Sequence, residues 1–296
     1  MKINTIRPQE DDFLKVLEFI ALKPELLYCI GKLPKNESVD GKKVSKRPKT
    51  VAIVGARKMT KYGQEIAYKI AFELARRGVV VVSGLAYGID SVAHRGALDG
   101  GGITIAVLGT AIDEITPRPH RGLAEEIVKK DGVIISEYFP GEKVFTRTSF
   151  LERNRIISGL SDAVVVVEAA SRSGSLNTAA HALDQGKDLW VVPGDITRAS
   201  AMGCNELICQ GAMPITSVDR FVDEIAPVDR VILDGPPKGE NELENKILQC
   251  IFEGVRDGED ILEKTGVGAA DFNITMTMLE IRGVVRGIGG NMWVLG

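Results

Sequence analysis

Six short runs of apolar, mostly β-branched residues recur along the middle of the chain: VAIV (51–54), VVVV (79–82), ITIAVL (103–108), VIIS (133–136), AVVVVE (163–168) and DLWVV (188–192). Runs this short and this unbroken predict strands buried on both faces rather than half-exposed ones. Helix-like spacing fills the gaps: Gln64 to Arg77 ending at Gly78, a segment through Ala93 to Leu98, Leu123 to Lys130, and AAHALDQG. Strands alternating with helices predict a doubly wound, mainly parallel α/β sheet covered by helices, here over residues 50–226.

Both flanks read differently. Residues 10–22 place Phe13, Val16, Leu17 and Ile20 at helical spacing, which predicts one short amphipathic helix, and LLYCIGKL behind it is strand-like. A polar connector, Gly41 to Thr50, carries Lys42, Lys43, Lys46, Arg47 and Lys49. It reads as a solvated linker, with an accessory phosphate contact as the alternative. After a Pro/Gly linker at 227–239, helical spacing returns in ENELENKILQCIF, GEDILEKTGV and AADFNITMTMLEIRG, and GVVRGIGGNMWVLG predicts a hairpin turning at Gly289-Gly290. Three short helices and a hairpin are a winged-helix pattern over 240–296.

Composition narrows the class. Of 296 residues, 44% are hydrophobic and 26% charged, the balance of a globular protein. No apolar run approaches the roughly 18 residues that span a bilayer. The N-terminus meets Glu10, Asp11 and Asp12 before any apolar stretch, unlike a secretory signal. Cys29, Cys204, Cys209 and Cys250 form no C-x-x-C pair, so the expectation is reduced thiols in a cytoplasmic protein without a metal.

The formal net charge of −3 hides an asymmetry. From Asp219 onward there are 8 Lys+Arg against 15 Asp+Glu, a net of −7, which leaves +4 for residues 1–218. The larger part can hold a phosphate-binding surface; the acidic tail is poorly suited to a polyanion.

In an open parallel sheet, ligands bind beyond the carboxyl ends of the strands. Those ends here carry Gly55-Ala56-Arg57, Ser83-Gly84-Leu85-Ala86, Gly109-Thr110, Ser173-Gly174-Ser175 and Pro193-Gly194. Small residues give an anion access to backbone N–H groups, and helix N-termini favour negative charge. Ser83, Ser173, Ser175 and Thr178 add hydroxyls; Arg57, Lys58, Lys61, Arg147, Arg153 and Arg155 add charge. Five such loops on one rim point to phosphate binding. The chain has neither G-x-x-x-x-G-K-[ST] nor a G-x-G-x-x-G after the first strand, so neither a P-loop nor a dinucleotide cofactor is expected. His94, His120 and His181 stand apart, and no serine sits in G-x-S-x-G. Asp113, Glu114 and Glu168 read as caps or ion-pair partners, so no catalytic constellation, cofactor or metal is expected.

GARKMTKYG (55–63), SGLAYGIDSVAHRGAL (83–98), TIAVLGTAID (104–113), SFLERNRIISGLSDAVVVVEAASRSGSLNTAAHAL (149–183) and VVPGDITRASAMGCNELICQGA (191–212) resemble the DNA-processing protein A (DprA/Smf) family. The tail at 240–296 more weakly resembles that family's winged-helix domain. The resemblance implies an extended Rossmann-like domain that binds single-stranded DNA without catalysis, forms a homodimer and loads the RecA recombinase in transformation or recombination. It implies that Arg57 touches phosphate, Phe150 is a platform for a base, and Arg147 takes a position where lysine is frequent. Arg153-Asn154-Arg155 is the family's R-N-R signature, either touching DNA or tying the rim to the sheet. Gly55, Thr60, Gly63 and Gly84 complete the implied phosphate set. Ala56 and Thr60 stand where serine is common, Leu151 where proline is usual and His120 where asparagine is common. Aromatics are only 5% of the chain, so backbone contacts are expected to dominate; Tyr62 and Tyr138 are reserve platforms.

Two rivals share the fold. The LOG-type phosphoribohydrolases carry P-G-G-x-G-T-x-x-E, and the matching stretch here keeps Thr178 but has His181 in place of the glutamate. A free-nucleotide sensor is the other. For the winged helix, the net of −7 favours a protein-interaction role, unless a basic patch around Arg282 and Arg286 serves duplex DNA.

Overall fold

In the computed structural model, residues 2–39, 44–144, 146–227 and 239–295 are described. The chain divides into two compact units, Met1–Pro227 and Val228–Gly296.

The larger unit is built on a nine-stranded sheet. In chain order its elements are β1 (Ile3–Ile6), β2 (Leu27–Gly31), β3 (Glu37–Val39), β4 (Val44–Lys46), β5 (Thr50–Val54), α1 (Lys61–Arg76), β6 (Val80–Ser83), α2 (Ile89–Asp99), β7 (Thr104–Leu108), α3 (Arg121–Lys129), β8 (Val133–Ser136), α4 (Thr146–Gly159), β9 (Ala163–Val166), α5 (Gly174–Asp184), β10 (Asp188–Val191), α6 (Met202–Cys209), β11 (Met213–Pro214) and α7 (Val218–Ile225). The strand order is β1-β2-β8-β7-β6-β5-β9-β10-β11. Neighbours from β8 to β11 are parallel, while β1-β2 and β2-β8 are antiparallel. β3 and β4 form a separate two-stranded ribbon.

The six apolar runs are β5 to β10, and their residues alternate between the two faces of the sheet, with Ala106, Leu108 and Ile134 of β7 and β8 packing under α3. Ala52, Val54, Val82, Val107 and Val166 face α4, α5 and α6. Val51, Ile53, Val81 and Val165 face α1, α2 and α7. Burial on both faces is why these runs have no polar alternation. Beyond the six, the strand-like run LLYCIGKL holds β2 as expected, while β1 and β11 were not expected. β1 and β2 bring the first 31 residues onto the β8 edge, and the two-residue β11 closes the other.

The amphipathic helix expected over residues 10–22 is corrected. Two 3₁₀ turns, Pro8–Glu10 and Leu14–Phe19, stand there instead. Asp11 Oδ1 accepts from the Phe13 and Leu14 N–H groups and pins the chain between them. A side chain that takes the Phe13 and Leu14 N–H groups restarts the turn there, so the segment forms two tight turns and not one continuous ladder. Its spacing was nonetheless a true core signal: Phe13, Leu14, Leu17 and Ile20 are buried against the sheet.

The solvated connector is corrected at Arg47. Its guanidinium donates to Phe13 O (3.2 Å), Thr50 Oγ1 (3.2 Å) and Leu160 O, and lies 3.4 Å from Asp162 Oδ1. It therefore clamps the N-terminal segment to β5 and the turn before β9. Lys42 and Lys43 lie outside the described residues, as does the Lys46 side chain.

The smaller unit packs α8 (Glu242–Phe252), α9 (Gly258–Thr265) and α10 (Ala269–Ile281) against the antiparallel pair β12 (Val285–Gly289) and β13 (Met292–Leu295). Ile247, Leu248, Ile251, Ile261, Phe272, Met276, Leu279 and Val285 form its core. Asn241 and Asp257 cap α8 and α9 through their side chains, and Gly266 ends α9 in the left-handed conformation. The strands turn at Gly290-Asn291, one residue beyond the expected place.

Candidate functional site

The sheet order reverses between β5 and β9: β6, β7 and β8 follow β5 in one direction, β10 and β11 follow β9 in the other. Loops leaving two such strands diverge to opposite faces and leave a crevice. A cleft of about 450 Å³ lies there, lined by Gly55, Ala56, Arg57, Lys58, Ala86, Asp90, Phe150, Leu151, Arg153, Asn154, Ala170, Arg172, Ser173, Gly174, Ser175, Thr178 and Ser200.

Close backbone approaches shape it. A Cβ on Gly88, at φ +78°, would stand 2.2 Å from Ala56 O, so this glycine lets the β6–α2 loop lie against the β5–α1 loop. A Cβ on Gly109 would meet Phe150 Cδ1 at 2.6 Å, so the end of β7 leaves room for the ring. Leu85 is a buried non-glycine residue at φ +59°, a conformation that costs on the order of 1 kcal/mol or more. Its carbonyl is fixed by His120 Nδ1–H at 2.8 Å. His120 thus steadies the loop.

The floor is built from buried charge. Arg153, 5% exposed, donates through Nη1 to Gly84 O (2.9 Å) and Val107 O, and through Nε to Asn154 Oδ1 (3.2 Å). Burial lowers its pKa to about 10. Asp90, 6% exposed, accepts at Oδ2 from Gly84 N–H (3.1 Å) and Ala86 N–H (3.4 Å). Burial raises its pKa, opposed by Arg153 and by those two N–H groups. Asn154 Nδ2 donates to Gly174 O and Asn177 Oδ1, joining α4 to α5.

The rim is open. Arg57, Lys58 and Arg172 are exposed and make no ion pair among the described residues. Arg57 and Arg153 place their guanidinium carbons 5.6 and 5.9 Å from the centroid of the Phe150 ring. Ser173 caps α5, accepting from Ser175 N–H, and the two hydroxyls are 2.7 Å apart. Nothing stands within 4 Å of a Cβ built on Gly174, so the N-terminus of α5 is unobstructed.

Gly55, Arg57, Lys58, Phe150, Arg153, Asn154, Ser173, Gly174, Ser175 and Thr178 are therefore brought together. The remaining expected residues are not. Thr60 donates to Glu168 Oε1, accepts from Gly63 N–H and caps α1. Glu168 fills the space a Cβ on Gly63 would need, which makes Glu168 a cap and not an acid or base. Ser83 donates to Ile53 O and is fully buried. Gly84 packs against the Arg153 guanidinium, and Lys61 begins α1 outside the cleft. Arg155 forms a two-pronged pair with Glu137, 2.8 Å to each oxygen, so R-N-R ties the rim to the sheet. Asp113 accepts from Gly141 N–H. Tyr62 donates to Pro193 O and Tyr138 to Glu152; neither lines the cleft. The helix α4 begins at Thr146, so Arg147 and the whole signature lie on one helix; the Arg147 side chain is outside the described residues.

Two charged cleft residues were missed. Arg172 sits in ASRSGS, one residue before the cap of α5, and that position was its signal. Asp90 sits in the first turn of α2, where an acidic residue reads as an ordinary helix-start preference.

In the smaller unit, Arg282 is held by Glu240 (2.7 Å) and Glu244 (2.5 Å), so the basic patch considered around it is half consumed internally. No helix among the described residues is long and apolar enough to cross a membrane.

Comparison with known proteins agrees with this architecture. The family model for DNA recombination-mediator protein A matches residues 4–226. Protein Smf of Escherichia coli is 42% identical over 248 residues, covering 81% of this chain and 66% of that protein, so the chain spans just under two thirds of that relative's length. The X-ray structure of DNA processing protein A from Streptococcus pneumoniae superposes with a TM-score of 0.64 at 36% identity, covering 76% of this chain and 75% of that one. A structure addressing the single-stranded DNA binding mode of DNA processing protein A from Helicobacter pylori gives 0.65 at 30% identity, covering 76% and 96%. With a match over residues 4–226 and the switch-point cleft in place, the chain belongs to the DNA recombination-mediator protein A family, that of the DprA and Smf proteins.

Proposed function

We propose that this protein binds single-stranded DNA without catalysing a reaction on it. The observation that carries the proposal is a stacking surface beside cations that make no ion pair among the described residues: Phe150 with Arg57, Lys58 and Arg172 at one mouth. Single-strand binders combine a cationic track with aromatic platforms, each stacked base contributing about 1–3 kcal/mol. The open N-terminus of α5 adds a place for a phosphate oxygen. Kinship with the Helicobacter pylori protein, whose structure concerns single-strand binding, supports the same reading.

Loading of RecA onto the bound strand, in transformation or general recombination, in the cytoplasm and by a homodimer, completes the proposed role. The unit from 240 to 296 is proposed as a winged helix that meets protein and not duplex DNA. Its α10 exposes Ile274, Met278 and Ile281 on one face, where a DNA-reading helix would carry cations.

Fluorescence anisotropy of a labelled single-stranded oligonucleotide tests the central claim, with duplex DNA and free mononucleotides as competitors. Tight, salt-sensitive binding that duplex displaces poorly is the expected result. Displacement by micromolar mononucleotide would favour the nucleotide sensor instead.

A further inference from the structure

The carboxyl ends of β7 and β8 carry a second recess, of about 660 Å³, which shares no lining residue with the cleft between β5 and β9. Its walls are the loop after β7, Ala111 to Ile115, and the loop after β8, Gly141 to Val144. Arg118, Arg121 and Lys143 line it, are exposed, and make no ion pair among the described residues. Three carboxylates stand on the same walls. Asp113 Oδ1 accepts from Gly141 N–H (3.0 Å) and Glu142 Oε2 from Phe139 N–H (2.9 Å), so these two brace the loops. The Glu114 side chain makes no hydrogen bond among the described residues, so the uncommitted groups of the recess are mainly cations.

The recess and the cleft are joined through one loop. Ala86 lines the cleft, and its neighbour Tyr87, 48% exposed, meets His120 in a T-shaped contact at 5.0 Å. His120 ends the turn Arg118–His120 and stands between two of the recess cations; its Nδ1 lies 2.8 Å from the Leu85 carbonyl. Arg118 and Arg121 are therefore fixed beside the loop that walls the cleft. Along the chain, Val144 lines the recess and Phe150 the cleft. Six residues reach at most about 22 Å. At about 3.4 Å per stacked nucleotide, roughly six nucleotides of one strand cover that distance.

Exposed rings and cations thus alternate from one site to the other: Phe150 with Arg57 and Lys58, then Tyr87, then Arg118, Arg121 and Lys143. A single strand uses both kinds of group, because its phosphates seek cations while its splayed bases seek rings. A run of acidic side chains would use the cations and leave the ring idle.

We propose that Tyr87, Arg118, Arg121 and Lys143 form a second DNA subsite, which takes the nucleotides that leave the cleft and leads them across the ends of β6, β7 and β8. Tyr87 stacks on a base between the two sites, and the three cations hold phosphates. The braced carboxylates keep their charge, so this segment grips the strand more weakly than the cleft does. The proposal rests on the single-strand reading above and adds to it the side on which the strand leaves and a longer footprint.

The test uses the full chain and labelled oligothymidylates of about 4 to about 16 nucleotides, the range of single-strand site sizes, across a salt series. The parent should gain affinity and salt slope over that range. The triple variant Arg118→Gln, Arg121→Gln, Lys143→Gln should lose about 2 units of slope on the longest oligomer, about 0.7 for each phosphate contact. It should bind the shortest as the parent does. Tyr87→Ala should weaken the longest about five- to a hundredfold, while Tyr87→Phe, which keeps the ring, should bind like the parent. Parent-like slope and length dependence in the triple variant would overturn the proposal, and loss of oligoglutamate binding by that variant would then assign the recess to an acidic peptide. Equal losses on short and long oligomers would overturn it as well, since the cations would then act on the cleft from a distance. A parent that binds no oligomer would overturn the single-strand reading with it.

Discussion

Arg57 and Arg153 approach the same phenyl ring to within 5.6 and 5.9 Å, yet their surroundings differ in kind. Arg57 projects from the β5–α1 loop into solvent, whereas Arg153 is 5% exposed and joins the carbonyl ends of β6 and β7. The same contrast separates rim from floor throughout. Lys58 and Arg172 have charge to offer a ligand; Asn154, Ser83 and Thr60 spend their polar atoms holding strands and helices in register. Two arginines in recognisable motifs thus have different work, and burial with hydrogen bonding, rather than residue type, assigns it.

Removing the floor should cost the most. Arg153→Ala strips the donors from Gly84 O and Val107 O and leaves Asp90 as a buried, uncompensated carboxylate, so urea unfolding should report a loss of about 3–5 kcal/mol. A loss below about 1 kcal/mol would show that the guanidinium is not a structural tie.

The core behind the floor should also be acid-sensitive. His94 is fully buried, donates from Nδ1–H to Thr104 Oγ1 and leaves Nε2 bare; burial lowers its pKa to about 3. The folded state keeps it neutral, while an unfolded chain takes up a proton below about pH 6.5. Its stabilising contribution is thus full above pH 6.5 and falls with pH until about 3. Between pH 6.5 and 5 the loss should be about 2 kcal/mol. Urea titrations at pH 7 and 5 on the protein and on His94→Asn check this: the variant should show a shallower dependence.

The cap of α1 comes next. Thr60→Ala deletes both the bond to Glu168 and the one from Gly63 N–H, and should cost about 1 kcal/mol by thermal or urea unfolding. At the rim, Arg57→Ala should change stability by less than about 0.5 kcal/mol while weakening strand binding.

How much of this was legible follows from what each residue contacts. The strands of the parallel sheet announce themselves because burial on both faces removes polar alternation, as in Val51 to Val54 and Ala163 to Val166. The edge strand β1, INTI, does not: three of its four residues are only half-buried and the fourth is exposed, so no apolar run marks it. Nor does the sequence distinguish Arg47, locked against Phe13 and Leu160 from distant positions, from the lysines around it. At the site, the small-residue loops located the cleft, since strand ends and glycines are local features. Partners were not local: Glu168 reaches Thr60 across 108 residues and Arg153 reaches Gly84 across 69. Those pairings decide which motif residues face inward, and only the fold brings them together.

The division between rim and floor is tested most directly by the salt dependence of single-strand binding, measured beside urea stability for the protein, Arg57→Ala, Arg172→Ala and the double variant. Each rim cation that meets a phosphate should take about 0.7–1 unit from the slope of log affinity against log salt on removal. The account predicts that the slope falls stepwise across the series while stability stays within about 0.5 kcal/mol. A double variant that folds as well as the parent and keeps the parent's affinity and salt slope would contradict it.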